Sequence, residues 1–397
     1  MYPSTASGAL GEPLQFPRIV VKQRLALHIT LLVLTLLTAT VVGSGLGISF
    51  YGNLPLTLDT FWNTLLRLPA EPSLLWIGLP YSLTLLGILF AHEMGHYLAC
   101  RRYGIDATLP YFLPFPSLLG TLGAFIRIRS PIYTRRALFD VGVAGPIAGF
   151  VTLLPAAVIG VALSRVGHGA GLQGDWVFST PLLLRGVEAL LFPHVSPQDI
   201  YLHPVARAAW AGLLATALNL IPIGQLDGGH IVYAFFGRWH KPLSRVLIVG
   251  LVAMGYVADS WIWWVWAALL LFALRHPVIC DESELGSTRV KLGWAALLIL
   301  ILSFTPVPVR EREPAGRDTR RQPRSCCARA VSLVIEDAAT ATLPTILRRA
   351  GPRRSRQPEL PGPFRPSASP RQRFARSRSN CQPEPSREDL PASTARA

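Results

Sequence analysis

Three polar side chains stand together in an otherwise apolar stretch, in the order His92-Glu93-Met94-Gly95-His96. On a helix, residues four apart share a face, so both imidazoles can reach one ion, while Glu93 projects beside them and can touch a water. Two imidazoles with one carboxylate suit zinc and leave a fourth position open. Such an ion acidifies a water, and Glu93 is the group next to it that can take the proton. Ionisable side chains inside a membrane span are expensive and mark function, whereas one histidine at a helix end would simply sit at the water interface.

A third ligand has to come from elsewhere in the chain. The stretch Asn219-Leu-Ile-Pro222-Ile-Gly224-Gln-Leu-Asp227-Gly228-Gly229-His230 lies in a second apolar region, in which Asp227 is the only acidic residue. Pro222 removes a helical donor, and the two glycines let the backbone unwind or approach closely. A broken helix is tolerated in a bilayer where it lines a cavity or is buried in protein. His230 offers an alternative ligand three residues beyond Asp227.

The elements that must carry these residues are membrane spans. Half of the 397 residues are hydrophobic and only 15% are charged, with a mean hydropathy of +0.37. A soluble domain carries about a quarter charged residues. Apolar runs of roughly 20 residues or more occur at about 25–50, 74–100, 137–164 and 205–236. A longer stretch at 243–274, interrupted near Asp259, reads as two short spans, and a last run covers 292–307. The expected fold is therefore an all-α membrane protein, a bundle of about six to seven transmembrane helices. Between spans two and three, Pro110, Pro114 and Pro116 break any helix, and Gly120–Phe125 leads into the alternating Ile126-Arg127-Ile128-Arg129. This segment reads as a short β-hairpin or re-entrant loop near the active site, or as an amphipathic loop on the membrane surface. In the first two forms its edge could hold an extended substrate as an added strand. In span three, Gly142, Gly145, Pro146 and Gly149 read as helix-packing positions without chemistry.

Charge orients the bundle. Arg101, Arg102, Arg127, Arg129, Arg135 and Arg136 concentrate between spans two and three, and Arg238, Lys241 and Arg245 follow span four. Under the positive-inside rule those segments and the N-terminus are cytoplasmic. The formal net charge is +15, but from Arg310 onward 19 Arg against 9 acidic residues supply +10 of it, so position argues for topology and against nucleic acid. The division expected is a cytoplasmic segment 1–24, a multi-pass membrane domain 25–309 that carries both polar motifs, and an Arg/Pro-rich tail 310–397 too poor in apolar residues to form a core. Five cysteines without a CxxC pair support neither a disulfide framework nor a cysteine zinc site.

HExGH on one span followed by NxxPxxxLDGG on a later one resembles the site-2 protease family of intramembrane metalloproteases, position by position and in the same order. The resemblance implies one Zn2+ per chain held by His92, His96 and Asp227, with Glu93 as general base. It also implies that Asn219 positions substrate or stabilises the oxyanion, although a helix–helix hydrogen bond is the plainer use of an intramembrane Asn. It implies transmembrane proteins as substrates, the lipid bilayer as partner, and a multi-pass place in a membrane, taken as a bacterial plasma membrane. No segment between spans is long enough for a PDZ domain, and nothing after the last span resembles a CBS pair, so the likeness is to compact members. A catalytically inactive scaffold would be expected to have lost a ligand or the base, and a transporter to show a repeat of either motif; neither mark is present.

Overall fold

Apolar runs long enough to outlast a bilayer set the three longest helices. In the computed structural model, which describes residues 23–167, 176–258, 260–272, 281 and 283–311, these are α1 (Leu25–Gly52), α3 (Leu74–Arg102) and α4 (Arg135–Ala162). At 28, 29 and 28 residues, each rises about 42 Å, more than the roughly 30 Å of a hydrocarbon core. Among the described residues these three alone are both long and apolar enough to cross a membrane. Helix α2 (Leu58–Arg67) lies between the first two, capped by the Thr57 side chain. The tail and N-terminal segment expected at 310–397 and 1–24 fall almost wholly outside the described residues.

The remaining helices are shorter: α5 (Leu182–Leu191), α6 (Pro204–Leu220), α7 (Asp227–Phe236), α8 (His240–Val257), α9 (Trp261–Phe272) and α10 (Ser287–Ser303). The apolar region expected as one span at 205–236 is two helices, α6 and α7, joined by a turn over 221–226. The stretch at 243–274 is likewise two, α8 and α9. As described, α9 rises only about 18 Å.

Small residues let the long helices approach. A Cβ at Gly78 would overlap the Thr40 carbonyl, and one at Gly43 the Gly78 carbonyl. Thr40 and Ser82 hydroxyls meet at 2.8 Å, and Ser44 Oγ donates to the Leu74 carbonyl at 2.9 Å. These pairs run in opposite sequence directions, so α1 and α3 are antiparallel. The same reasoning holds for α3 with α4, where a Cβ at Gly95 would stand 2.5 Å from the Ala144 carbonyl and one at Gly149 3.0 Å from His92 Cβ. It holds again for α4 with α6, through Gly160 at Ala206 and Leu153 at Gly212. Helices α1, α3, α4 and α6 therefore alternate in direction. Tyr81, Leu85, Ile88, Leu153, Ala157, Ala209 and Leu213 fill the space between them.

Among the described residues, three two-stranded antiparallel pairs decorate the helices: β1 (Tyr111–Pro114) with β2 (Thr121–Phe125), β3 (Arg165–Val166) with β5 (Ile200–Tyr201), and β4 (Trp176–Phe178) with β6 (Val309–Glu311). In the first pair Tyr111 faces Phe125 and Phe112 faces Ala124, and the register shifts before Pro114 meets Thr121. Helix α1 holds this segment along its length. Gln23 Nε2 donates to the Ala107 carbonyl at 3.2 Å, His28 Nδ1 meets the Pro110 carbonyl at 3.2 Å, and Thr38 Oγ1 donates to the Gly120 carbonyl at 2.7 Å. The Tyr81 hydroxyl donates to the Leu119 carbonyl from α3. The β1–β2 segment thus leans into the helices rather than away from them.

Candidate active site

His92, Glu93 and His96 lie in the second half of α3 and are all buried, between 4% and 7% exposed. Their rings face α4, where glycine makes room for them. A Cβ at position 145 would overlap His96 Nε2, and one at 149 would press on His92 Cβ and Nδ1. The glycines of α4, expected to serve only helix packing, therefore pack onto the two histidines. His96 Nδ1 lies 2.7 Å from the Val141 carbonyl. A carbonyl only accepts, so Nδ1 carries the ring hydrogen and Nε2 of the neutral ring presents a lone pair.

Asp227 arrives from the other side of the helix break. It is the first residue of α7, where a carboxylate is favoured by the exposed amides and helix dipole. The turn that places it there needs glycine twice, since a Cβ at Gly228 would overlap the Leu220 carbonyl and one at Gly229 the Gly224 carbonyl. Gly224 itself has a positive φ of 53°, and its N–H donates to Ser244 Oγ of α8 at 3.3 Å. At the far end of α7, Arg135 of α4 donates to the Ala234 and Phe235 carbonyls, closing the helix with a cation.

The three side chains meet at one point. His92 Nε2 lies 3.1 Å from Asp227 Oδ2 and 3.1 Å from His96 Nε2, and His96 Nε2 lies 3.3 Å from Asp227 Oδ2. Among the described residues this is the one group of three or more His, Cys, Asp or Glu side chains with convergent ligand atoms. A tetrahedral ion with bonds of about 2.0–2.1 Å separates its ligand atoms by about 3.3 Å. The spacing and the donor set of two imidazoles and one carboxylate both fit zinc. His230, one turn along α7, packs its Cβ toward Gly142 and is outside the convergent group.

Two further groups border the cluster. Asn219, in the last turn of α6, brings Nδ2 to 3.3 Å from His92 Nε2. Glu93 accepts from the backbone N–H of Ile126, immediately after β2. Neither the Val141 carbonyl nor the Ile126 amide carried a signal in the sequence, because a backbone group has no residue type to read.

The pattern of peptidase family M50 matches residues 80–258, which take in most of α3, the β1–β2 segment, α4, α6, α7 and both motifs. Over these residues, less than half of the chain, it is similar to peptidase family M50. This is the site-2 protease family of membrane zinc metalloproteases. A "Probable zinc metalloprotease EGY2, chloroplastic" from Oryza sativa subsp. indica is 33% identical over 264 residues, covering 64% of this chain and 47% of that protein. The Arabidopsis thaliana protein of the same name is 34% identical over 238 residues, 58% of this chain and 42% of the relative. A "Probable zinc metalloprotease EGY1, chloroplastic" from Arabidopsis thaliana is 30% identical over 238 residues, 58% and 43%. The chain thus spans less than half the length of these curated relatives. Their names place them in chloroplasts, which lends no support to the bacterial plasma membrane expected from the sequence. No solved structure matches the chain.

Proposed function

We propose that this chain is an intramembrane zinc endopeptidase that hydrolyses peptide bonds of transmembrane proteins. The observation carrying the reading is the convergence of His92 Nε2, His96 Nε2 and Asp227 Oδ2 within 3.3 Å of one another, with Glu93 next in sequence to one of them. Zinc held by these three atoms would supply Lewis acidity, making a water acidic near neutral pH and polarising a carbonyl.

The chain's own residues do the rest. Glu93 takes a proton from the attacking water and returns it to the departing amine as the C–N bond breaks, so one carboxylate serves as base and then acid. The Ile126 amide, hydrogen-bonded to Glu93, fixes the carboxylate's direction. Asn219 donates its amide hydrogen to the oxygen that gains negative charge. The β1–β2 segment brings extended backbone beside the base, and a substrate unwound into a strand there would present its peptide bond to Glu93. Val141, through its carbonyl, keeps the His96 lone pair aimed at the cluster.

The test combines metal content with cleavage. Purified protein is reconstituted with a panel of single-span membrane proteins, as wild type, Glu93→Gln and Asn219→Ala. One zinc per chain is expected in all three. Cleavage should fall by about 10²–10⁴-fold in Glu93→Gln and about 10²–10³-fold in Asn219→Ala. Wild-type protein purified without zinc, or cleavage undiminished in Glu93→Gln, would sink the proposal.

A further inference from the structure

Helix α10 lies beyond the residues matched by the M50 pattern, yet its first turn ties the end of α3 to α4. Arg289 is half-buried there. Its Nε donates to Asp140 Oδ1 at 2.8 Å and its Nη2 to Asp140 Oδ2 at 2.7 Å, so the fork engages both carboxylate oxygens. Nη2 also donates to the Tyr103 hydroxyl at 3.2 Å, and that hydroxyl donates in turn to Asp140 Oδ2. Nη1 donates to the carbonyl of Leu285, just before α10, at 3.2 Å.

Both partners stand next to the metal cluster's supports. Tyr103 caps α3 two turns past His96, on the same side of the helix. Asp140 precedes Val141, whose carbonyl lies 2.7 Å from His96 Nδ1. Between these two contacts Cys100, Ala137 and Val141 share one buried cluster. The α3–α4 crossing is thus pinned at two levels, by His96 on Val141 and by Tyr103 on Asp140, and Arg289 completes the second. One turn along α10, a Cβ at Gly293 would come within 2.8 Å of the Phe235 ring of α7. Ala296 and Ile299 share a buried cluster with Leu220 and Ile231. One helix therefore supports both the helix of the two histidines and the helix that begins with Asp227.

An exposed ion pair alone contributes little. A half-buried fork shared with a hydroxyl fixes direction as well as distance, and the placement of a ligand ring depends on such outer partners. We propose that Arg289 is a positioning residue for the metal site: by clamping Asp140 and Tyr103 it sets the register of α3 on α4, and with it the aim of His96 Nε2. The inference rests on His92, His96 and Asp227 being the zinc ligands.

Two measurements on the purified full chain test it. One is competitive zinc titration with a chelator. The other is diethyl pyrocarbonate modification after zinc removal, with the rate at His96 followed by mass spectrometry. Arg289→Met should bind zinc about 10-fold more weakly than wild type, and its His96 should be modified faster. Arg289→Lys, which keeps the charge and loses the fork, should fall between the two. Tyr103→Phe removes one hydroxyl and no charge, and should move both readouts the same way by less; it decides the matter if Arg289→Met does not fold. Arg136→Gln is the control. It cuts the bond from Arg136 Nε to the Glu284 carbonyl at 2.9 Å, a second tie between α4 and the segment before α10, and should change neither readout. Joining Asp140→Asn to Arg289→Met should cost no more than the larger single loss, because one clamp is removed only once. Unaltered zinc affinity or an unaltered His96 rate in Arg289→Met would overturn the inference. So would additive losses in the double variant, or an equal loss in Arg136→Gln, which would mark general loosening. Wild-type protein that binds no zinc would sink the zinc reading alone, since the His96 rates still decide whether Arg289 holds that ring.

Discussion

The ring of His96 is fixed from two sides, by the Val141 carbonyl at Nδ1 and by the bare Cα of Gly145 against Nε2. A methyl group at 145 can be accommodated only if the ring swings away, which costs the bond to Val141 and the alignment of its lone pair. Gly145→Ala should therefore fold but bind zinc about 10–100-fold more weakly, the range found when groups that orient a ligand are removed. Gly87→Ala is the control on the same helix pair, because a Cβ there meets nothing within 4 Å. Competitive zinc titration with a chelator checks both, and equal affinity in the two variants would refute the account. His92, Glu93 and His96 were legible as candidates because helical spacing is a local signal; Asp227 stood out as a lone acid in an apolar region, but its choice over His230 came from the resemblance. Gly145 and Gly149 were legible only as small residues. What they touch depends on where α3 crosses α4, and that crossing is written in no single segment.

The turn over 221–226 does at the level of elements what Gly145 does for one ring. Splitting one apolar region into α6 and α7 puts Asn219 at the end of one helix and Asp227 at the start of the next, so both reach His92 across the gap. Gly228 sits against the Leu220 carbonyl, a backbone atom that cannot rotate aside. Gly228→Ala should open the turn and carry Asp227 away, leaving two imidazoles and a protein that loses its zinc on dialysis while keeping its helical circular dichroism. Gly250→Ala, in α8 with open space around it, should keep the metal. Retention of zinc by Gly228→Ala would mean that Asp227 is no ligand or that the turn is pliant. The ends of α1, α3 and α4 fall within two residues of the expected apolar runs, since a bilayer demands length and apolarity that composition displays directly. Helices α2 and α5 escaped notice because ten-residue amphipathic segments lack that signature.

At the scale of the molecule, alternating helix directions sort the charges between two ends. Arg101, Arg102, Arg135 and Arg136 gather at the end nearer the metal cluster, and their cytoplasmic placement rests on the positive-inside rule. The opposite end carries α5, whose Glu188 is 2% exposed and has an oxygen without a hydrogen-bond partner among the described residues. Burial raises its carboxyl from 4.5 to about 7, only partly offset by Arg185. The folded chain therefore holds a proton that the unfolded chain releases, over the window between those two values. A folded state that binds more protons loses stability as pH rises, so this contribution is fully favourable below pH 4.5 and gone above 7. Glu188→Gln stays neutral throughout and keeps the burial without the charge. Its Tm advantage over wild type should be small at pH 5 and widen by pH 8, measured in the same detergent at both. A difference that does not change with pH would show that Glu188 is ionised and paired in the folded protein, and that α5 docks on α4 and α10 through a charge rather than through a neutral, buried acid.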